Sequence, residues 1–248
     1  MPIETRVDGG IAEITLAVNK VNALDITNTL ALAEAIETAG KRKDVKVIVL
    51  RNEGNGFCVG ADVKQISNDP AGIHHSHEAW ARLSAALHLC EIPVIASVDG
   101  HCIGGGVVIA ASCDVIFMSE RTTVSMPPIK LGSWGGSTFL VRLVGPLKAR
   151  ASMMTGRTLT AAQVAEGGAI EAVLPSGQLR DAVMALARDI AQKSREALRM
   201  GKMALNAIEP MDLEHLYRFE QGITTNLFVT PEARAIREAR IAAGFKDK

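Results

Sequence analysis

Short contiguous apolar runs alternate along this chain with longer stretches in which apolar residues recur every three or four positions. Ile3 to Val7 and Ile11 to Leu16 read as two strands joined at Asp8-Gly9-Gly10, a hairpin signal. Ile26 to Thr38 carries Leu30, Leu32, Ala33 and Ile36 at helical spacing, with Asp25 placed to cap it. Val45 to Leu50 is a continuous run, apolar but for Lys46, as in a strand covered on both faces. Gly54, Gly56 and Gly60 then lead into a helix start over Ala61 to Ile66. A polar segment, Ser67 to His77, precedes an amphipathic helix from Glu78 to Cys90. Val94 to Val98, Val115 to Met118 and Thr123 to Ser125 are further strands. Helical patterns cover Ser137 to Val144, Lys148 to Thr155, Thr160 to Glu166 and Gly177 to Lys193, and helical periodicity fills Ser194 to Ala243. The pattern predicts an α/β core over residues 1–193, largely parallel and helix-covered, and an all-helical region over 194–248.

One stretch organises the rest. In IASVDGHCIGGGVVIAASCDV, Ile95 to Val115, a buried strand ends at Asp99-Gly100, and Gly104, Gly105 and Gly106 open an apolar helix. Glycines at a helix start let the backbone approach a ligand that a Cβ would block. The first N–H groups of the helix have no partner within it and sit at the positive end of its dipole. Such a corner suits an anion, or an oxygen that becomes anionic during a reaction; it also suits a close helix–sheet contact. VKVIVLRNEGNGFCVGADVK, Val45 to Lys64, repeats the arrangement. Its Gly54, Gly56 and Gly60 miss the dinucleotide spacing by one residue, with no acidic residue closing a second strand beyond. No Gly-Lys-Ser/Thr sequence supports a phosphate loop.

The 248 residues carry no formal net charge and only 4% aromatics, which argues against nucleic acid or an anionic membrane as the main partner. Cys58, Cys90, Cys102 and Cys113 lack CxxC spacing and read as buried thiols of a reducing, cytoplasmic compartment, with no metal site. No apolar run reaches the ~18 residues of a membrane span, and the N-terminus has no secretory pattern.

GFCVGADVK followed by VDGHCIGGG resembles the crotonase superfamily, the enoyl-CoA hydratase/isomerase family. The VNAL of Val21 to Leu24, the run TGRTLTAAQVAEGGAIEAVLP from Thr155 to Pro175, and the closing GFKDK are similar to further segments of that family, so the resemblance spans essentially the whole chain. It implies a spiral of ββα turns with a helical C-terminal trimerisation region, hence a homotrimer or a dimer of trimers. It implies a coenzyme A thioester as ligand, with no bound cofactor. It implies an oxyanion hole of two backbone N–H groups, which fall on Val59 and Gly105. Val59 is bulkier than the alanine common there, but its N–H is unchanged. By the same resemblance Gly60, Ala61, Asp62 and Val63 border the coenzyme, with Arg240 and Lys246 as candidates for its phosphates.

The chain departs from the family pattern where protons are handled. The glutamate expected after the GGG corner is Val108. The glutamate of the P-E-x-x-L-G pattern is Pro128, in Met126-Pro127-Pro128-Ile129-Lys130-Leu131-Gly132. Neither residue can hold a proton, and general acid–base work needs a titratable group within hydrogen-bond reach. Standard hydration is therefore not expected. The following loop, Gly132 to Ser137, is about three residues shorter than in relatives. His74, His75 and His77 are candidate replacements, since histidine titrates near neutrality; the alternative is a polar loop of solvated side chains, with Glu78 an exposed first-turn acid. The remaining chemistry that a thioester enolate allows is decarboxylation, double-bond isomerisation or a retro-Claisen step. A non-catalytic acyl-CoA binder on the same fold is the other expectation.

Overall fold

The computed structural model describes residues 2–62, 70–209 and 212–243. The chain runs β1 (Ile3–Asp8), β2 (Ile11–Leu16), β3 (Ala23–Leu24), α1 (Ile26–Lys41), β4 (Val47–Asn52), β5 (Gly56–Cys58), β6 (Gly60–Ala61) and α2 (Pro70–His88). It continues through β7 (Val94–Val98), β8 (His101–Ile103), α3 (Gly105–Ser112), β9 (Val115–Ser119), β10 (Thr123–Ser125) and a 3-10 turn, Pro128–Leu131. After these come α4 (Ser137–Val144), α5 (Pro146–Thr155), β11 (Leu159–Thr160), α6 (Ala161–Ala165), β12 (Ala172–Leu174) and α7 (Ser176–Ala191). Three helices end the described chain: α8 (Arg195–Ile208), α9 (Leu213–Phe228) and α10 (Pro231–Ala242).

Six strands form the main sheet in the order β1-β2-β4-β7-β9-β12. Only the β1–β2 hairpin is antiparallel; β4, β7, β9 and β12 add in parallel. The unbroken apolar runs serve both faces by alternation. Val47 and Val49 of β4 and Ile95 of β7 face Leu179, Val183 and Ala187 of α7. Ile48, Leu50, Val94 and Ala96 face the larger core, which takes in Leu32 and Ile36 of α1 and Leu83 and Leu87 of α2. At ~25 cal/mol per Å2 of buried apolar area, this two-sided burial is the main source of stability. A second sheet, β11-β10-β8-β5, and the β3–β6 pair stand beside it and carry the glycine corners. Asn22, at φ 52°, fastens this region: its amide donates to the carbonyls of Leu16, Glu53 and Gly56.

Three expectations change. The helix after the first corner begins at Pro70, not at Glu78, so the three histidines stand on its first turns and not in a loop. Glu78 is consequently inside the helix, paired with Arg218 of α9, rather than in a first turn. Gly60 and Ala61 form a short strand against Ala23 and Leu24 rather than opening a helix. Within the tail, Leu213 is buried in the core, whereas Met203, Leu205 and Ile208 of α8 are exposed.

Candidate functional site

The two glycine corners meet. β5 and β8 lie parallel, with Cys58 opposite Cys102, so each strand delivers its glycines to the same edge. Gly60 has φ +90°, and a Cβ there would stand 2.8 Å from the Gly105 nitrogen. A Cβ on Gly106 would overlap the carbonyl oxygen of Cys58. The glycines therefore allow backbone to lie on backbone. Gly104, at φ +54°, turns the chain into α3, and its own N–H donates to the Ser125 carbonyl at 2.9 Å, tying the corner to β10.

Two donors remain open at this junction. Among the described residues, no carbonyl or side chain accepts the N–H of Val59 or of Gly105. Gly105 opens α3, where an N–H lacks a helical acceptor. The Gly60 N–H, between them in sequence, is taken by the Cys58 sulfur at 3.3 Å. Burial pushes the Cys58 thiol up to about 12, so it is a neutral packing group and not a nucleophile. Two such N–H groups at a helix start can hold an oxygen that gains negative charge.

Trp80 of α2 covers one side of this corner. It is buried, and a Cβ on Gly105 would overlap its indole ring. Gly105 is thus required by a tryptophan, which sequence spacing does not reveal. Val108 is buried in α3 and belongs to the apolar core. Pro128 starts the 3-10 turn that follows β10.

The histidines are separated by their helix. His74 and His75 are exposed. His77 is half-buried; its Nδ1 lies 3.3 Å from the Thr225 hydroxyl of α9, and burial, then nearby His74, hold its pKa below the ordinary histidine value. Asp62 donates its N–H to the Leu24 carbonyl at 2.9 Å, and Ala61 pairs with Leu24. Arg240 occupies the last turn of α10 and is half-buried. Val63 and Lys246 lie outside the described residues.

A cluster of polar groups lies behind the loop 132–136, with Glu220 as a member that sequence spacing does not single out. Glu220 of α9 is buried, and its Oε1 accepts from the Ser137 hydroxyl and from the Thr138 N–H, the latter at 3.0 Å. Trp134 Nε1 donates to Ser137 Oγ at 3.3 Å, and the Thr224 hydroxyl donates to the Trp134 carbonyl. The available signal was an acid on the inward stripe of a helix, since Glu220 shares spacing with buried Leu213 and Phe228.

The profile described as Enoyl-CoA hydratase/isomerase matches residues 6–245. The chain belongs to the enoyl-CoA hydratase/isomerase family, the crotonase superfamily. A Mycobacterium tuberculosis protein named (7aS)-7a-methyl-1,5-dioxo-2,3,5,6,7,7a-hexahydro-1H-indene-carboxyl-CoA hydrolase is 34% identical, over 96% of this chain and 98% of its own length. A Rhodococcus jostii protein of the same name is also 34% identical, over 92% and 89%. The crystal structure of a probable enoyl-CoA hydratase from Mycobacterium thermoresistibile superimposes with a TM-score of 0.86 at 29% identity, covering 95% of this chain and 99% of that one.

Proposed function

We propose that the chain is an enzyme acting on a coenzyme A thioester, and that the Val59 and Gly105 N–H groups hold the thioester oxygen as it becomes an enolate oxygen. The observation that carries this reading is the pair of unaccepted N–H groups where the two corners touch. Each such donor contributes ~2.7–4 kcal/mol when aimed at developing charge. Gly60, Ala61, Asp62 and Val63 border the coenzyme in this reading, and Arg240 and Lys246 serve its phosphates.

The reaction we favour is hydrolytic cleavage of a carbon–carbon bond beside the thioester. Water adds to a 3-oxo group; the bond from that carbon to C2 breaks, its electron pair forms the thioester enolate, and a proton then reaches C2. The two relatives at 34% identity support it, being named as hydrolases of a dioxo-carboxyl-CoA. Decarboxylation and isomerisation would pass through the same enolate. Conjugate hydration has no support from Val108 or Pro128, which cannot exchange a proton. The exposed apolar residues of the tail, among them Met203, Leu205, Ile208 and Phe219, fit assembly into a homotrimer or a dimer of trimers, which light scattering tests.

The deciding experiment incubates the purified protein with a cyclic 3-oxo thioester, 2-oxocyclohexanecarboxyl-CoA, and follows product mass. Ring cleavage gives one product heavier by a water with coenzyme A still attached. Release of coenzyme A, or turnover of crotonyl-CoA at rates typical of hydratases, contradicts the assignment. Binding without turnover across 3-oxo, crotonyl and methylmalonyl thioesters identifies a non-catalytic binder.

A further inference from the structure

We propose that Glu220 supplies the proton transfer that Val108 and Pro128 cannot, acting from α9 through its free oxygen, Oε2. The inference rests on the acyl-CoA reading above and adds to it the group that completes the reaction.

The geometry is specific. Glu220 is 7% exposed, and its Oε2 is fully buried with no hydrogen-bond partner. Ser133 Oγ, in the adjoining loop, is the same. A buried polar atom without a partner destabilises a fold, so two such atoms around one loop mark a place built for something other than stability. The other oxygen, Oε1, is held by Ser137 and Thr138 at the start of α4, which fixes the carboxyl and leaves Oε2 to act.

Two chains of contacts run from the cluster toward the glycine corner. A Cβ on Gly136 would stand 2.6 Å from Met126 Cε, and Met126 follows Ser125, whose carbonyl holds the Gly104 N–H. On the other side, Gln221 donates to the His77 carbonyl at 2.8 Å, one turn before the Trp80 that covers Gly105. α9 is therefore joined both to α2, which carries Trp80 against Gly105, and to the start of α4.

Burial raises the Glu220 pKa, against hydrogen bonds from Thr138, Gly136 and Ser137 that lower it. The charged and titratable neighbours are engaged elsewhere. Arg218 pairs with Glu78, His77 meets Thr225, and the Tyr217 phenol is itself raised by burial, then by Glu220. A neutral carboxyl donates its Oε2 proton to C2 of the enolate. The enolate electron pair forms the C–H bond, the thioester carbonyl re-forms, and the carboxylate left behind is held by the Ser137 hydroxyl and Thr138 N–H until water reprotonates it.

The test compares wild type with Glu220→Gln, which keeps an oxygen for the cap but carries no transferable proton. Solvent deuterium incorporation at C2 of butyryl-CoA is read by mass spectrometry, and acetoacetyl-CoA binding by calorimetry. Glu220→Gln should lose ~10²–10⁴-fold in exchange, with binding within about threefold of wild type and the carboxyl limb of the pH profile gone. Equal exchange and an unchanged pH profile in both proteins overturns the inference and leaves the acyl-CoA reading standing. Failure of wild type to bind acetoacetyl-CoA overturns both. An arm without mutation uses infrared spectroscopy of the unliganded protein about one pH unit above the ordinary glutamate value. A persisting carboxylic-acid C=O band supports the role, and its absence overturns it.

Discussion

The two glycine corners look alike in sequence, a buried strand running into glycines, and they are built differently. The second is rigid by helix: Gly104 turns the chain, and α3 follows at once inside the core. The first is rigid by pairing: Gly60 and Ala61 lie on Ala23 and Leu24, and Cys58 takes the Gly60 N–H. One corner presents its donor because helix geometry leaves the first N–H without an acceptor. In the other, Val59 lies between β5 and β6, outside either strand. The two corners of the proposed site thus rest on unrelated devices, so each can be disturbed separately.

The largest effect should come from Gly106→Ala. The added Cβ overlaps the Cys58 carbonyl, which belongs to backbone and cannot swing aside. Destabilisation at or beyond the ~1–3 kcal/mol typical of overpacking is expected. Soluble yield and thermal melting check it; a protein that melts like wild type means the corners are not in contact.

Gly60→Ala should rank next. Its φ of +90° lies where a side chain is strained, and its Cβ would press on the Gly105 nitrogen at 2.8 Å. A strained residue of this kind costs ~1–3 kcal/mol. Because the pressure falls on the second corner's donor, turnover should fall more than stability does. Equal melting temperature with equal kcat contradicts the contact between the corners.

Gly105→Ala brings a side chain, not backbone, into play. Its Cβ overlaps the Trp80 ring, which can move at a cost. Trp80→Leu clears that space, so the double variant should be more stable than the sum of the singles predicts. A double-mutant cycle measures the coupling. Additive losses would mean that Trp80 does not pack on Gly105.

Legibility in sequence followed element length. The longer main-sheet strands were plain in runs such as VKVIVL and VIASV, because strands covered on both faces are largely apolar. β5, β6 and β8, of two or three residues, were not, since so short a segment has no period to detect. β12 was missed for the same reason, although it closes the main sheet. The start of α2 was hidden because Pro70, Gly72 and a run of histidines read as loop, while the helix is held by α9 across its other face. At the site, the two corners were legible because glycine marks close backbone approach. Trp80 and Glu220 were not, because each sits on a helix distant in sequence from what it meets, Gly105 for the one and the start of α4 for the other, and only packing brings them together.

The smallest effect tests the first corner's donor. Val59 is half-buried, and in our reading its contribution is its N–H, which every residue except proline supplies. Val59→Ala should therefore leave kcat within about threefold of wild type, against the ~10²–10³-fold that loss of an oxyanion donor costs. The alanine variant can only trim the pocket wall, so any change belongs in KM for bulky acyl groups. Val59→Pro removes the N–H itself and is the sharper partner, although the fixed φ of proline adds a backbone constraint. Melting of the proline variant separates that constraint from the lost donor. A proline variant that melts like wild type and turns over normally would remove Val59 from the site, and the second corner would then have to hold the oxygen alone.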